Sequence, residues 1–368
     1  MQYEQPHMEK SHKKCVAKVF LLTFALDILL AGGIVGGDYY YNYKLPHKLT
    51  STNIVTAEGT ATIPKDTNGG TINQLVPLHG NVSADTVSSS TDWSQKFKDH
   101  FSDTVISTAS VYKSPNISIE LTQGTYDSGT LDHSENGKHE KYGTMVSYTL
   151  ADIYVSSIDC FKTAFAQDTY GVGYAETPAS MSERMKSVLL VNGDSYSNNR
   201  HQDNGTIIRN GTVYRTQGST EETCVLYRDG TMKTYTPDTF DAVQVVQDGA
   251  WQSWVFGPSL LDENGNAKTD FLTWDYILES HPRTAIGYYE PGHYCLLVVD
   301  GRQKDFSRGM FLEEMSQLFA DLGCKVAYNL DGGHSSFMVK DTTVASHPYK
   351  PSKDVSDGIF ICEPEVAK

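Results

Sequence analysis

Lys325 to Val339 reads KVAYNLDGGHSSFMV. Its first half, Val326 to Leu330, is a short, mostly apolar run that predicts a buried strand. The run passes directly into Asp331, two glycines, His334 and two serines. A carboxylate held at a strand end, beside glycines whose amides can approach an anion and serines that add hydroxyl donors, has the composition of a catalytic loop. Asp-Gly and Gly-Gly are also ordinary hairpin dipeptides. The stretch alone therefore leaves both readings open.

The residues before it supply the context. Leu296 to Val299 is a second apolar, β-rich run, and it ends in Asp300-Gly301-Arg302. Between the two runs Leu312, Met315, Leu318, Phe319 and Leu322 recur at helical spacing, with Gly323 as the stop signal. Strand, helix and strand predict a parallel βαβ crossover unit. Such a unit brings both polar clusters out on the same side of the sheet.

Arg283-Thr-Ala-Ile-Gly287, LLVVDGR ending at Arg302, Ser307-Arg-Gly-Met310 and NLDGGHSS ending at Ser336 follow one another in this order. Together they resemble the phosphodiester glycosidase family, which includes N-acetylglucosamine-1-phosphodiester α-N-acetylglucosaminidase and a bacterial branch associated with exopolysaccharide biosynthesis. Val191-Asn-Gly-Asp194, Gly205 to Arg215, Cys224 to Tyr235 and Trp254 to Leu261 resemble that bacterial branch, so the likeness runs from about Asn116 to Glu363. Two positions depart from the family pattern: His334 stands where a third glycine is usual, and Phe337 where threonine is frequent.

The resemblance implies a hydrolase acting on a GlcNAc-1-phosphate-type diester. A glycosidase needs a carboxylate near the anomeric carbon and stabilisation of the leaving group. A phosphomonoester leaves as a weak base, so cations and amide donors matter more than a proton donor. Asp194, Asp300 and Asp331 are the candidate carboxylates, and which of them attacks or activates water stays open. Arg283 and Arg302 suit phosphate because a guanidinium grips its oxygens bidentately. Gly332, Gly333, Ser335 and Ser336 offer further donors. His334 is a candidate acid or base, a pocket-narrowing residue or a neutral replacement. Each arginine also has a bland reading, as an ion pair with one of the aspartates. Two other functions compete: a non-catalytic polysaccharide-binding or assembly protein on the same fold, with His334 marking a blocked pocket, and a metal-dependent phosphodiesterase. The sequence requires no cofactor and leaves a divalent metal open.

Elsewhere the chain sets limits. Its 368 residues can bury a substantial core as one large or two small domains. A net charge of -15 argues against a nucleic-acid partner, whose phosphates would be repelled. Lys10, Lys13, Lys14 and Lys18 precede the apolar run Val19 to Gly37, broken only by Asp27. That pattern predicts an uncleaved anchor with a cytoplasmic N-terminus, with Tyr39, Tyr40, Tyr41 and Tyr43 as an interfacial belt. A cleaved signal peptide is the alternative, disfavoured because no clean A-x-A site precedes a polar start.

The expected organisation is a cytoplasmic tail over 1–18, a transmembrane signal anchor over 19–37, an extracellular stalk over 38–110 and a phosphodiester glycosidase-like domain over 111–368. Its fold class is mixed α/β (α+β), with central β-sheets and a βαβ crossover unit near the C-terminus. The implied location is the cell membrane, single-pass, and the implied substrate a carbohydrate phosphodiester in a teichoic acid, capsule or similar polymer. Within the domain, strands are expected at Ile117 to Leu121, Ala151 to Ile158 and Val188 to Val191, helices at Phe161 to Phe165 and Pro178 to Lys186, and a hairpin turn at Asp229-Gly230. A short amphipathic helix is expected through Trp93, Phe97 and Phe101. Asp132, His133, Glu135 and His139 are expected to face solvent. The six scattered cysteines read as buried apolar residues with one optional bridge.

Overall fold

Alternation along the apolar runs decides the architecture. The computed structural model describes residues 7–43, 45–49, 92–133, 139–196, 204–351 and 353–364. Its contacts divide the chain into two units, Met1–His47 and Lys48–Lys368. The first contains a helix, His7–Tyr43, in which Leu21–Tyr41 is long and apolar enough to cross a membrane, with its side chains exposed.

The second unit is built on two sheets. In chain order their strands are β1 (Ile106–Ser107), β2 (Val111–Lys113), β3 (Ile117–Asp127), β4 (Met145–Val155), β5 (Phe161–Phe165), β6 (Ser187–Asn192), β7 (Arg283–Glu290), β8 (His293–Val299), β9 (Val326–Asn329), β10 (Met338–Lys340), β11 (Thr343–Val344) and β12 (Asp357–Cys362). One sheet has the order β9-β7-β8-β4-β3-β2-β1 and the other β11-β10-β6-β12-β5, with neighbours antiparallel in both. Residues 206–254 add a hairpin, Thr206–Arg209 with Thr212–Thr216, and a three-stranded sheet of Thr223–Tyr227, Met232–Tyr235 and Ala250–Trp254.

Period-two side chains knit the layers together. Ile286, Leu296 and Val298 of the first sheet meet Leu189, Val191, Ile359 and Ile361 of the second in one buried core. The alternate residues Ala285, Leu297 and Val299 face outward onto Leu312, Met315 and Phe319 of the helix Leu312–Asp321. Leu190, Val339 and Phe360 on the far side of the second sheet pack with Met181 of the helix Pro178–Met185. The order is therefore helix, sheet, sheet, helix. Removing a side chain from the middle layer, as in Leu296→Ala, costs about 2–5 kcal/mol.

The crossover unit is present, with one strand inserted. β8 and β9 each pair antiparallel with β7, so they run parallel to each other on either side of it. The crossover helix ends where Gly323 takes φ +80°. Three expectations need correction. Phe161–Phe165 is a strand, because pairing with β12 and burial of Phe161 and Phe165 override its helical pattern. Residues 94–100 form turns, and Trp93 and Phe97 lie buried in the inter-sheet core, so packed structure begins ahead of residue 110. Residues 44 and 50–91 of the expected stalk lie outside the described residues. Asp132 does not face solvent: it is buried and accepts from Ser280 N at 2.9 Å and Ser280 Oγ at 2.7 Å. His139 Nδ1 stands 2.8 Å from the same carboxylate, whereas His133 is exposed and Glu135 lies outside the described residues.

Candidate active site

The ends of β8 and β9 and the start of β7 meet at one sheet edge, with Arg283 opposite Val299 and Ala285 opposite Asn329. Pro282, just before β7, is the wedge between the two loops. A Cβ on Gly301 would lie 2.8 Å from Pro282 N, and one on Gly332 would lie 2.8 Å from Pro282 O, so both loops need glycine to close on it. Gly333 N donates to Pro282 O at 2.8 Å. The second sheet joins through β6: Asn192 Nδ2 donates to Asp331 O at 2.6 Å, Asp331 N donates to Gly193 O at 3.2 Å, and Thr284 Oγ1 donates to Asn192 Oδ1 at 2.7 Å.

Arg302 follows β8 in a left-handed conformation, φ +58°, that turns the chain back toward the Gly332-Gly333 loop. A Cβ on Gly333 would lie 3.3 Å from Arg302 Nη2, which puts the guanidinium against that loop. Arg302 donates from Nη1 to Tyr349 Oη at 3.0 Å and from Nη2 to Tyr276 Oη at 3.1 Å, with His281 Nδ1 3.3 Å from Nη2. All three partners are neutral groups. Among the described residues no carboxylate pairs with it, so its positive charge remains available to an anion.

Asp331 is half-buried beside that cation-bearing loop. Its Oδ1 accepts Gly332 N at 2.9 Å. Burial raises its pKa, opposed by a hydrogen bond from Ser335 and the charge of Lys353. Lys353 Nζ in turn donates to Ser335 Oγ at 3.3 Å. His334 points its Nε2 at Pro351 O, 3.1 Å away, with its ring 5.3 Å from that of Tyr349. Ser336 is buried, and its hydroxyl finds no hydrogen-bond partner among the described residues. Asp300 is 3 % exposed and receives His347 N at 2.7 Å and Ser147 Oγ at 3.3 Å, while burial raises its pKa.

Two further candidates point inward. Asp194 is fully buried, with Oδ1 accepting Arg209 Nη2 at 2.9 Å and Oδ2 accepting Val255 N at 3.1 Å. The same Arg209 nitrogen reaches Asp357 Oδ2 at 2.8 Å. Burial, then the neighbouring Asp194 charge, raises the pKa of Asp357. Arg283 is also buried and donates to three carbonyls, those of Met310, Ile277 and Glu279, at 3.1, 2.6 and 2.6 Å. Burial pulls its pKa down to about 9. Among the described residues it has neither a carboxylate partner nor an exposed face. The sheet edge thus brings together Asp300, Arg302, Asp331, Gly332, Gly333, His334 and Ser335, and it directs Asp194 and Arg283 into the supporting structure.

Residues 185–362 match the phosphodiester glycosidase family. The chain is 33% identical over 220 residues to the SPbeta prophage-derived uncharacterized protein YomE of Bacillus subtilis, covering 59% of this chain and 32% of that protein. It is 36% identical over 85 residues to bovine (Bos taurus) N-acetylglucosamine-1-phosphodiester alpha-N-acetylglucosaminidase, covering 23% of this chain and 15% of that enzyme. The chain thus spans no more than about a third of the length of these curated relatives. In structure it resembles the zebrafish N-acetylglucosamine-1-phosphodiester alpha-N-acetylglucosaminidase catalytic domain, described as auto-inhibited by its pro-peptide, with a TM-score of 0.52 at 21% identity over 75% of this chain and 94% of that one. That likeness shows a shared fold.

Several residues around this sheet edge were not singled out from sequence. Arg209 ends the apolar strand Thr206–Arg209, and Asp357 opens the apolar run of β12; a charge at the end of an apolar strand was the available signal. Lys353, His347, Tyr349, Tyr276 and His281 come from loops or a single helical turn and carry no periodic signal. Among the described residues no three His, Cys, Asp or Glu side chains converge as a metal site.

Proposed function

We propose that the residues gathered at this sheet edge hydrolyse a sugar-1-phosphate diester. The observation that carries this reading is that Arg302, whose charge no described carboxylate neutralises, lies against the Gly332-Gly333 loop that half-buried Asp331 opens. In this reading Arg302, backed by Lys353, holds the phosphate, while the amides of Gly332 and Gly333 are already engaged by Asp331 and Pro282 and serve to shape the loop. Asp331 faces the anomeric carbon as nucleophile or as base for water. Water adds to that carbon, its bond to the phosphate oxygen breaks, and the phosphomonoester leaves without needing a strong acid. Asp300, linked to His347, lies on the Arg302 flank as a second carboxylate.

The apolar N-terminal helix supports placing this domain at a membrane surface, with residues 1–18 cytoplasmic, an anchor over 19–37 and the linker and domain outside. Teichoic acid, capsule or a similar envelope polymer is the substrate class that such a location would present. The test is hydrolysis of a defined N-acetylglucosamine-1-phosphate methyl diester in ¹⁸O-water. Label in the released sugar, with methyl phosphate as co-product, supports the glycosidase. Label in phosphate would establish a phosphodiesterase instead, and binding without turnover a polysaccharide-binding protein.

A further inference from the structure

The mount that aims Arg302 contains a histidine with no assigned role. His281 is 3 % exposed, and its backbone is pinned to Met310 in both directions, N to O at 3.3 Å and O from N at 3.1 Å. Gly309 permits this approach, since a Cβ there would lie 2.3 Å from the His281 carbonyl. The ring stands 2.7 Å by Nε2 from Tyr276 O and 3.3 Å by Nδ1 from Arg302 Nη2. A carbonyl only accepts and a guanidinium only donates, so the two contacts together assign one tautomer: Nε2 carries the hydrogen and Nδ1 the lone pair. An imidazolium would direct an N–H at a cation. The groups around it reinforce that exclusion: Arg283 and Arg302 supply positive charge, the His139 ring lies 5.4 Å away, and the Tyr276 ring lies 4.5 Å away. Burial first, then Arg283, lowers its pKa to about 2.

We propose that His281 is a positioning residue: its permanently neutral Nδ1, with the hydroxyls of Tyr276 and Tyr349, fixes Arg302 toward the ligand phosphate without neutralising its charge. A carboxylate in that place would hold the guanidinium as firmly and cancel the charge that phosphate needs. This inference rests on the sheet edge being an anion site, as the proposed function requires, but not on hydrolysis.

His281→Asn and His281→Phe separate the acceptor from the ring. The Asn Oδ1 sits where Nδ1 stood and can still accept from Arg302, whereas Phe keeps the ring without any acceptor. Both lose the Nε2 donor alike. Binding of inorganic phosphate to the full chain in detergent micelles, measured by calorimetry, is expected to weaken about tenfold or more in His281→Phe and to stay within about threefold in His281→Asn. KM for the methyl diester should follow the same order. Equal losses in both variants, or a loss in neither, would reduce His281 to packing and overturn the inference. So would a wild type that binds no phosphate, or one whose phosphate binding survives Arg302→Gln. A wild type that binds phosphate through Arg302 and never cleaves the diester sinks the hydrolase reading and leaves this one standing. Should the Phe variant fail to fold, ¹⁵N-resolved histidine spectra of the wild type decide: an Nε2–H imidazole at pH 5 supports the assignment, and an imidazolium there contradicts it.

Discussion

Arg209 and Arg302 both serve carboxylate-bearing strand ends, yet one is spent and the other is free to act. Arg209 lies between Asp194 and Asp357, all three essentially without solvent contact, so its charge is consumed inside the fold. Arg302 is held by two hydroxyls and an imidazole nitrogen. The charge of the partners decides whether a guanidinium's charge is used up inside the fold or stays available to a ligand, since both are positioned by multiple hydrogen bonds. It also distinguishes Asp194, on a strand end like those of Asp300 and Asp331, whose carboxylate turns into the fold toward Arg209 and Val255 N.

The largest expected effect comes from breaking the closed network. Arg209→Met leaves two adjacent buried carboxylates without their cation, and losing one partner of a buried ion pair costs about 3–5 kcal/mol. Urea unfolding of the variant should show that loss, together with poor expression. A stable, active Arg209→Met protein would mean the triad carries little of the fold.

Asp331→Asn should have a comparable effect on the reaction and little on the fold. Removing a nucleophile or general base lowers kcat by about 10²–10⁴-fold. Burial already disfavours the ionised Asp331, so an amide there should leave the melting temperature unchanged or slightly higher. Retained turnover would move the reacting carboxylate to Asp300, where the same substitution should then be made.

A smaller effect is expected from pH. Asp357 has its folded pKa raised to about 7, against an unfolded carboxylate near 3.9. Its contribution to stability is therefore full below the unfolded value and is lost as pH rises through about 7, because the native state holds a proton that the unfolded chain gives up. One proton sets a ceiling of roughly 1.4 kcal/mol per pH unit on the slope. Asp357→Asn cannot release that proton, so its stability relative to wild type should improve as pH rises over this range. Parallel stability curves for the two proteins from pH 5 to 8 would refute a protonated Asp357 in the native state.

How much of this was readable beforehand follows the same division. Leu296 to Val299 and Val326 to Leu330 announce strands by apolarity alone, and the Asp-Gly steps after them announce loops, so the sheet edge and its two reactive-looking ends were legible. The inserted strand β7 was not, because nothing local in Arg283–Glu290 says it pairs on both sides. Phe161–Phe165 reads as helical in isolation for a related reason: its strand state comes from β12, almost two hundred residues later in the chain. Arg283 and Arg302 looked equivalent as residues after or before apolar runs. Only the tertiary contacts separate them, one facing three carbonyls and the other three neutral acceptors beside a glycine loop. Lys353, Tyr349 and His281 acquire meaning solely from where their loops land.

The most delicate test keeps the charge and changes its shape. Arg302→Lys preserves one positive charge at the Gly333 loop but removes the planar fork that reaches Tyr276, Tyr349 and His281 together. An ammonium can satisfy some of those acceptors and still attract phosphate, so the loss should amount to one or two charge-assisted hydrogen bonds, about a tenfold rise in KM for the diester. If charge alone mattered, Lys would match Arg. If the guanidinium acted only on the bound transition state, kcat would fall while KM stayed put. A rise in KM with kcat nearly constant is the outcome that fits an anchor for the ground-state phosphate, and steady-state kinetics on the methyl diester distinguishes all three.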